Sequence, residues 1–237
     1  MTPLALGYIL LTILMTVLVI FGYYRAMTSI GLEKPLIVKR LSLSILAVCG
    51  WLLYTYLMAA SGFLKDLSLP PRFPLLLIIP LFIFIGFLFR TKRNSAIIGA
   101  IPRSWPIYFQ SFRIIVELLF VATVAQGLLH KEVSIEGYNF DMIFGLTAPV
   151  ICLLVYRLKS IPEKIVLYWN YLGLAVLLSV ILLFLTTAFF PRVWGHDTSF
   201  IPTGFLDFPF ILVAAYLMPL AVFIHILSIV QLKNHGI

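Results

Sequence analysis

The chain has 237 residues, of which 62% are hydrophobic and 11% charged, with a mean hydropathy of +1.09. A soluble domain carries about 45–50% apolar and about 25% charged residues, so one aqueous globule cannot hide this much apolar surface and most of the chain must face lipid. The formal charge of +8 does not describe a nucleic-acid-binding face, because Lys and Arg cluster in short links between apolar runs, the arrangement of topology-setting charge.

The N-terminus, Met1-Thr2-Pro3, lacks the basic stretch of a signal peptide, and no small-residue cleavage site follows. The first apolar run therefore reads as a retained helix. A helix needs about 20 apolar residues to cross the hydrocarbon core. Seven stretches come near that length: 4–24, 42–63, 74–90, 106–129, 141–157, 164–190 and 208–231. They are continuous rather than alternating, so they are helices and not barrel strands. The expected fold is all-α: one transmembrane domain over residues 1–237, a bundle of seven transmembrane helices. Spans three and five are the shortest.

Local chemistry marks several boundaries. Ser160-Ile161-Pro162-Glu163 reads as a capping box opening span six. Asp141 and Asp207 stand where N-caps belong for spans five and seven, with Pro209 just inside the latter. Pro80, Pro149 and Pro219 fall inside spans three, five and seven, where each frees a backbone carbonyl and permits a kink. Ala96 to Pro102, in the third link, reads as an interfacial piece. Cys49 and Cys152 lie in apolar spans without a CxxC spacing and read as small buried hydrophobes.

The links alternate in basic charge. Arg25, Lys34, Lys39 and Arg40 are in the first; Lys65 and Arg72 in the second; Arg90, Lys92, Arg93 and Arg103 in the third. The fourth holds Lys131, the fifth Arg157, Lys159 and Lys164, the sixth Arg192, and the tail Lys233. Odd links and tail thus hold twelve basic residues against four in the even links. The excess puts the N-terminus outside and the C-terminus in the cytoplasm. Tyr23, Tyr24, Trp105, Tyr108 and Trp194 fall near the interfaces and read as aromatic-belt anchors.

Against this background a few polar residues stand out. Glu117 is at the centre of span four, with Arg113 one turn toward the cytoplasm. Charge at that depth is costly and marks a candidate site. Counting about 1.5 Å per helical residue, Arg113 lies roughly 6 Å, His225 about 8 Å and Asn170 about 10 Å to the cytoplasmic side of their spans' midpoints. Three helices thus contribute to one polar layer, with Glu117 above it. Arg113 and Glu117 share a helix face, so they can form a self-contained ion pair or a site that holds an anion or moves a proton. His225 beside Glu117 would suit a proton relay. It is the sole histidine within a span, which argues against a bis-histidine haem or a membrane zinc site. On the outer side, His130, Glu132, Glu136, Asp141, His196 and Asp197 spread over two links; they could form an acidic metal or cation mouth, but their spacing matches no known ligand motif and they read as solvated loop. No metal, cofactor or catalytic residue is expected.

Seven helices with an outer N-terminus resemble rhodopsins in topology alone, since span seven has no Schiff-base lysine before Lys233. Residues 110–118, Gln110-Ser111-Phe112-Arg113-Ile114-Ile115-Val116-Glu117-Leu118, followed by Glu136-Gly137-Tyr138-Asn139-Phe140-Asp141 and Gly145-Leu146-Thr147-Ala148-Pro149, resemble a block in uncharacterised bacterial seven-helix proteins. The resemblance covers about spans four and five. It implies a bacterial inner membrane and no particular activity. The leading functional expectation is a transporter or channel for an ion or small polar solute, proton-linked through Glu117, with Arg113 as anion or counter-charge partner and His225 and Asn170 lining the inner vestibule. The alternatives are an intramembrane enzyme acting on a lipid or isoprenoid phosphate, with Arg113 on the headgroup, and a scaffold or sensor subunit without chemistry of its own. The expected partners are the lipid bilayer and a small polar or anionic ligand; an oligomer is compatible with the sequence.

Overall fold

The computed structural model describes residues 2–91, 95–196 and 201–234, and within them the chain is helical, with no strand. Lys92, Arg93 and Asp197 of the charge reading lie outside the described residues. Five helices are long and apolar enough to cross a membrane: Pro3–Ser29, Lys34–Ala60, Ser104–Ala125, Lys164–Phe189 and Val213–Asn234. Pro74–Arg90 is apolar but shorter. The remaining candidate is a 12-residue helix, Asp141–Cys152, prolonged by a five-residue π-helical turn at Leu153–Arg157. The chain is a helical protein of the multi-pass membrane type.

We number the α-helical pieces α1 (Pro3–Ser29), α2 (Lys34–Ala60), α3 (Ile79–Arg90), α4 (Ser95–Ala100), α5 (Ser104–Phe109), α6 (Phe112–Ala125), α7 (Asp141–Cys152), α8 (Lys164–Phe189) and α9 (Met218–Asn234). Helix α1 starts where Thr2 accepts a hydrogen bond from the Ala5 amide and Pro3 supplies the first helical position. It buries Leu4, Tyr8, Leu11 and Met15 on one face and leaves Leu10, Ile13, Leu14 and Val17 exposed on the other. A helix apolar all round suits lipid on the side away from the bundle. Helix α2 is more peripheral: of its 27 residues only Ile37, Thr55 and Ala59 are buried. Cys49 lies on its exposed side, not in the core as expected, whereas Cys152 is buried.

The interior prolines coincide with departures from α-helix. Pro80 follows a π-helical turn at Pro74–Ile78, and Pro219 follows one at Val213–Leu217. Pro149 lies inside α7, before the turn at Leu153–Arg157. Proline has no N–H for the carbonyl four residues back, and widening to a π turn lets the chain pass the ring. At Pro219 the carbonyl left over is that of Ala215. The Trp51 indole of α2 donates to it at 2.7 Å, so a helix with little buried surface is tied to α9 by the defect that proline makes.

Span four is not the single helix expected over 106–129. The chain tightens at Gln110 and Ser111, where the Gln110 and Arg113 amides reach carbonyls three residues back. Gln110 itself is buried and its amide donates to the Ala221 carbonyl of α9 at 3.1 Å. Helix α6 ends at Ala125, because Gly127 takes a left-handed φ of 69° and turns Leu128 back to the Thr123 carbonyl. Glu117 stands within one turn of the midpoint of Ser104–Ala125 and near the middle of α6.

The expected side-chain caps do not form. No side chain caps α8; Glu163 binds Arg103 at 2.6 Å and Ser160 donates to the Leu154 carbonyl. Asp141 is the first residue of α7 and turns inward, and Asp207 pairs with Lys65 at 2.7 Å. In each case a full positive charge within reach outcompetes the partial charges of a helix end. The interfacial piece after Thr91 becomes α4, whose Ile97 is buried. Gln231 of α9 donates to the carbonyls of Ile98 and Ile101 at 2.8 and 2.7 Å. The main core gathers α1, α6, α8 and α9 around the two π turns.

Candidate functional site

The site is built on α6. Arg113 is buried, with 1% of its surface exposed. Its Nη2 donates to Asp141 Oδ1, its Nη1 meets His225 Nε2 at 2.9 Å, and its Cζ lies 4.9 Å from the Phe144 ring centroid. Asp141 and Phe144 are three apart on α7, so one helical face supplies both the carboxylate and the ring. Gly145 makes the approach close enough, since a Cβ there would press on Ile114 of α6. The ion pair expected between Arg113 and Glu117 is not formed among the described residues. The guanidinium pairs across to α7 instead.

His225 of α9 continues the chain. Its Nδ1 lies 2.8 Å from Asn170 Oδ1 on α8. Asn170 Nδ2 donates to Ser228 Oγ at 2.9 Å and to the Val166 carbonyl at 2.7 Å. With both amide hydrogens so placed, Asn170 Oδ1 must accept, and the ring hydrogen belongs on Nδ1. His225 Nε2 then keeps a lone pair and accepts from Arg113. Asp141 thus carries the charge opposite the guanidinium, while His225 carries its dipole. Trp169 and Phe144 pack on the imidazole at centroid distances of 5.4 and 6.2 Å.

Glu117 faces the other way. Its Oε1 accepts from the Ile135 backbone N–H, and its Oε2 accepts from Asn139 Nδ2 at 2.9 Å. Asn139 also donates to the Val133 carbonyl at 2.9 Å and accepts the Asp141 amide at 2.9 Å. The carboxylate therefore pins the 131–139 link against the middle of α6. His225 is bonded to Arg113 and Asn170, so the direct relay expected between Glu117 and His225 is replaced by a longer series: Glu117, Asn139, Asp141, Arg113, His225, Asn170, Ser228. The layer of Arg113, His225 and Asn170 found by counting depth is bonded in sequence. The residues that reading missed are Asn139, Asp141 and Ser228, and Asp141 carried the one usable signal, a carboxylate at the mouth of an apolar span.

Beside this series runs a narrow apolar cleft with about 30 Å³ of cavity space, between α6, α8 and the π turns that precede α3 and α9. Phe112, Phe120, Leu177, Phe184 and Leu217 are among its walls, and among the described residues Arg113 and Asp141 are the charged ones that line it. The Arg113 Nε has no hydrogen-bond partner among the described residues. The cleft thus has one polar end on an apolar wall, the composition of a small-molecule site, but as it stands it has room for about two waters. Outside the spans, Glu132, read as solvated, is buried beside His130 and His196.

No protein-family model matches the chain, and no curated protein or solved structure is similar to it.

Proposed function

We propose that the protein is a bacterial inner-membrane protein that binds the apolar chain of an amphiphile, a lipid or an isoprenoid, in the cleft beside α6, with an anionic headgroup drawn to Arg113. The reading includes seven membrane crossings, with Pro74–Arg90 and Asp141–Arg157 as the short ones, and an outer N-terminus. The basic excess of the odd links supports that orientation, and the likeness of residues 110–149 to bacterial seven-helix proteins supports the compartment.

The observation that carries the binding reading is the wall of the cleft. Apolar side chains cover it except where Arg113 and Asp141 close one end. A wholly polar solute entering there would lose its hydration along apolar walls, and since the two charges engage each other it would find Arg113 Nε as the free donor, which a single headgroup oxygen can use. An alkyl or prenyl chain would meet apolar side chains along the cleft, and admitting it requires α6 and α8 to part, since the closed cleft is smaller than such a chain. The lining offers no serine, cysteine or histidine, so the reading is of holding or moving a lipid, not of changing it covalently. Proton-linked transport through Glu117 rests on the depth of that carboxylate. It would require Glu117 to release Ile135 and Asn139 in each cycle.

The test is native mass spectrometry of the protein purified in mild detergent, with extraction of what it retains. The wild type should carry an anionic lipid or isoprenoid, and Leu217→Trp, which fills the cleft, should lose it. A bare wild type, or equal retention by Leu217→Trp, would sink the lipid reading. A pH-dependent flux in vesicles that Glu117→Gln abolishes would favour transport.

A further inference from the structure

His130 and Glu132 come from one link and His196 from another, 66 and 64 positions on, yet one ligand atom of each lies within 4.8 Å of the other two. Folding, not local spacing, creates the set. His130 and Glu132 flank the start of the 3-10 turn Lys131–Val133, which Glu117 and Asn139 hold in place. His196 follows Gly195, whose left-handed φ of 75° returns the chain so that the His196 amide bonds the Pro191 carbonyl at 3.2 Å. The two imidazoles stack with centroids 4.2 Å apart.

Three observations point to a ligand. Among the described residues, His130 Nε2, Glu132 Oε2 and His196 Nε2 are buried without a hydrogen-bond partner. Glu132 is a carboxylate with 6% of its surface exposed. His196 Nε2 is 3.1 Å from Glu132 Oε2 but not in hydrogen-bond geometry. Unsatisfied buried polar atoms are rare and call for an explanation. A tetrahedral zinc ion, with ligands at about 2.0–2.2 Å, sets its ligand atoms roughly 3.3–3.6 Å apart. The 3.1 Å edge is close to that; because the two rings stack with 19° between their planes, one imidazole must turn about its side-chain bonds to direct its lone pair at a shared ion.

We propose that His130, Glu132 and His196 bind a divalent transition-metal ion of the zinc class, with two imidazole nitrogens, one carboxylate oxygen and a fourth position left to solvent. Two nitrogens and one oxygen form a donor set that zinc accepts, and three protein ligands leave one position open. The ion would staple the link before α7 to the link after α8, on the face that the charge pattern puts outside. This is independent of what the cleft holds.

The protein, purified without a polyhistidine tag and stripped with chelator, is titrated with Zn²⁺ by calorimetry and with Co²⁺ by visible absorption. One equivalent should bind, with the intense bands of a four- or five-coordinate cobalt ion. Glu132→Gln, which keeps shape, and His196→Ala should each weaken zinc at least tenfold. Each should also remove the cobalt bands, while near-ultraviolet circular dichroism confirms that the variants are folded. Absence of a stoichiometric site in the wild type overturns the proposal. So does equal affinity in the folded variants, which would mean adventitious metal at other histidines.

Discussion

His225 and Gly173 are fitted to one another: a Cβ on residue 173 would run into the imidazole, close to Nε2 and Cε1. Helix α8 therefore carries a glycine where α9 carries its polar ring, and the bare backbone sets the depth at which the ring meets Arg113 and Asn170. Gly173→Ala should cost about 1–3 kcal/mol, as overpacking does in a tight interior. Gly50 of α2 faces open space, and alanine there should be neutral or stabilising by roughly 0.5–1 kcal/mol. Thermal unfolding of both variants in the same detergent compares them. Equal midpoints would mean that the two helices are not packed through residue 173.

The pairing of Arg113 with Asp141 makes a sharper prediction. Asp141→Leu leaves a buried guanidinium without its carboxylate and should destabilise by about 3–5 kcal/mol. Adding Arg113→Met removes the stranded charge, so the double variant should be more stable than Asp141→Leu alone, although His225 Nε2 then lacks its donor. Were the pair open to solvent, the second substitution would bring no recovery. Denaturant or thermal unfolding of the three variants decides between these outcomes.

These contacts show what a linear reading can reach. Composition and apolar runs are properties of whole segments, so the helical membrane class was visible, and so was the layer of Arg113, His225 and Asn170, because depth along a helix is simple counting. Partner choice is not local. Arg113 prefers Asp141, 28 positions on, over Glu117 one turn away. A helix-local rule favours the neighbour, and the rule for helix starts assigned Asp141 to a cap. The end of α6 was misplaced because Gly127 breaks a run that stays apolar past it. His130 and Glu132 lie on one link and His196 on another, and no spacing motif can announce a set that folding assembles.

Glu117 organises the link that carries two of those three residues. Glutamine at 117 has one carbonyl oxygen and cannot serve both the Ile135 amide and Asn139 Nδ2, and its own amide hydrogens would face a donor. Losing one such buried bond costs about 1–3 kcal/mol. Hydrogen exchange at Ile135 and its neighbours should therefore accelerate roughly tenfold or more in Glu117→Gln, with α8 unchanged. Protection in the 131–139 link equal to wild type would show that Glu117 does not hold it.

Trp51 and Pro219 should prove energetically coupled, although their side chains need not touch. The Trp51 indole serves the Ala215 carbonyl that Pro219 leaves without its helical donor. Trp51→Phe keeps an aromatic ring but removes the donor, and should cost about 1 kcal/mol or somewhat more in the wild-type background. With Pro219→Ala, residue 219 regains an N–H, and the π turn at Val213–Leu217 can relax toward an α-helix whose carbonyls are served internally. In that background Trp51→Phe should cost markedly less. A double-mutant cycle on unfolding free energy measures the difference directly. Additive costs would show that Trp51 anchors α2 by packing alone and that the proline-freed carbonyl is not what it recognises.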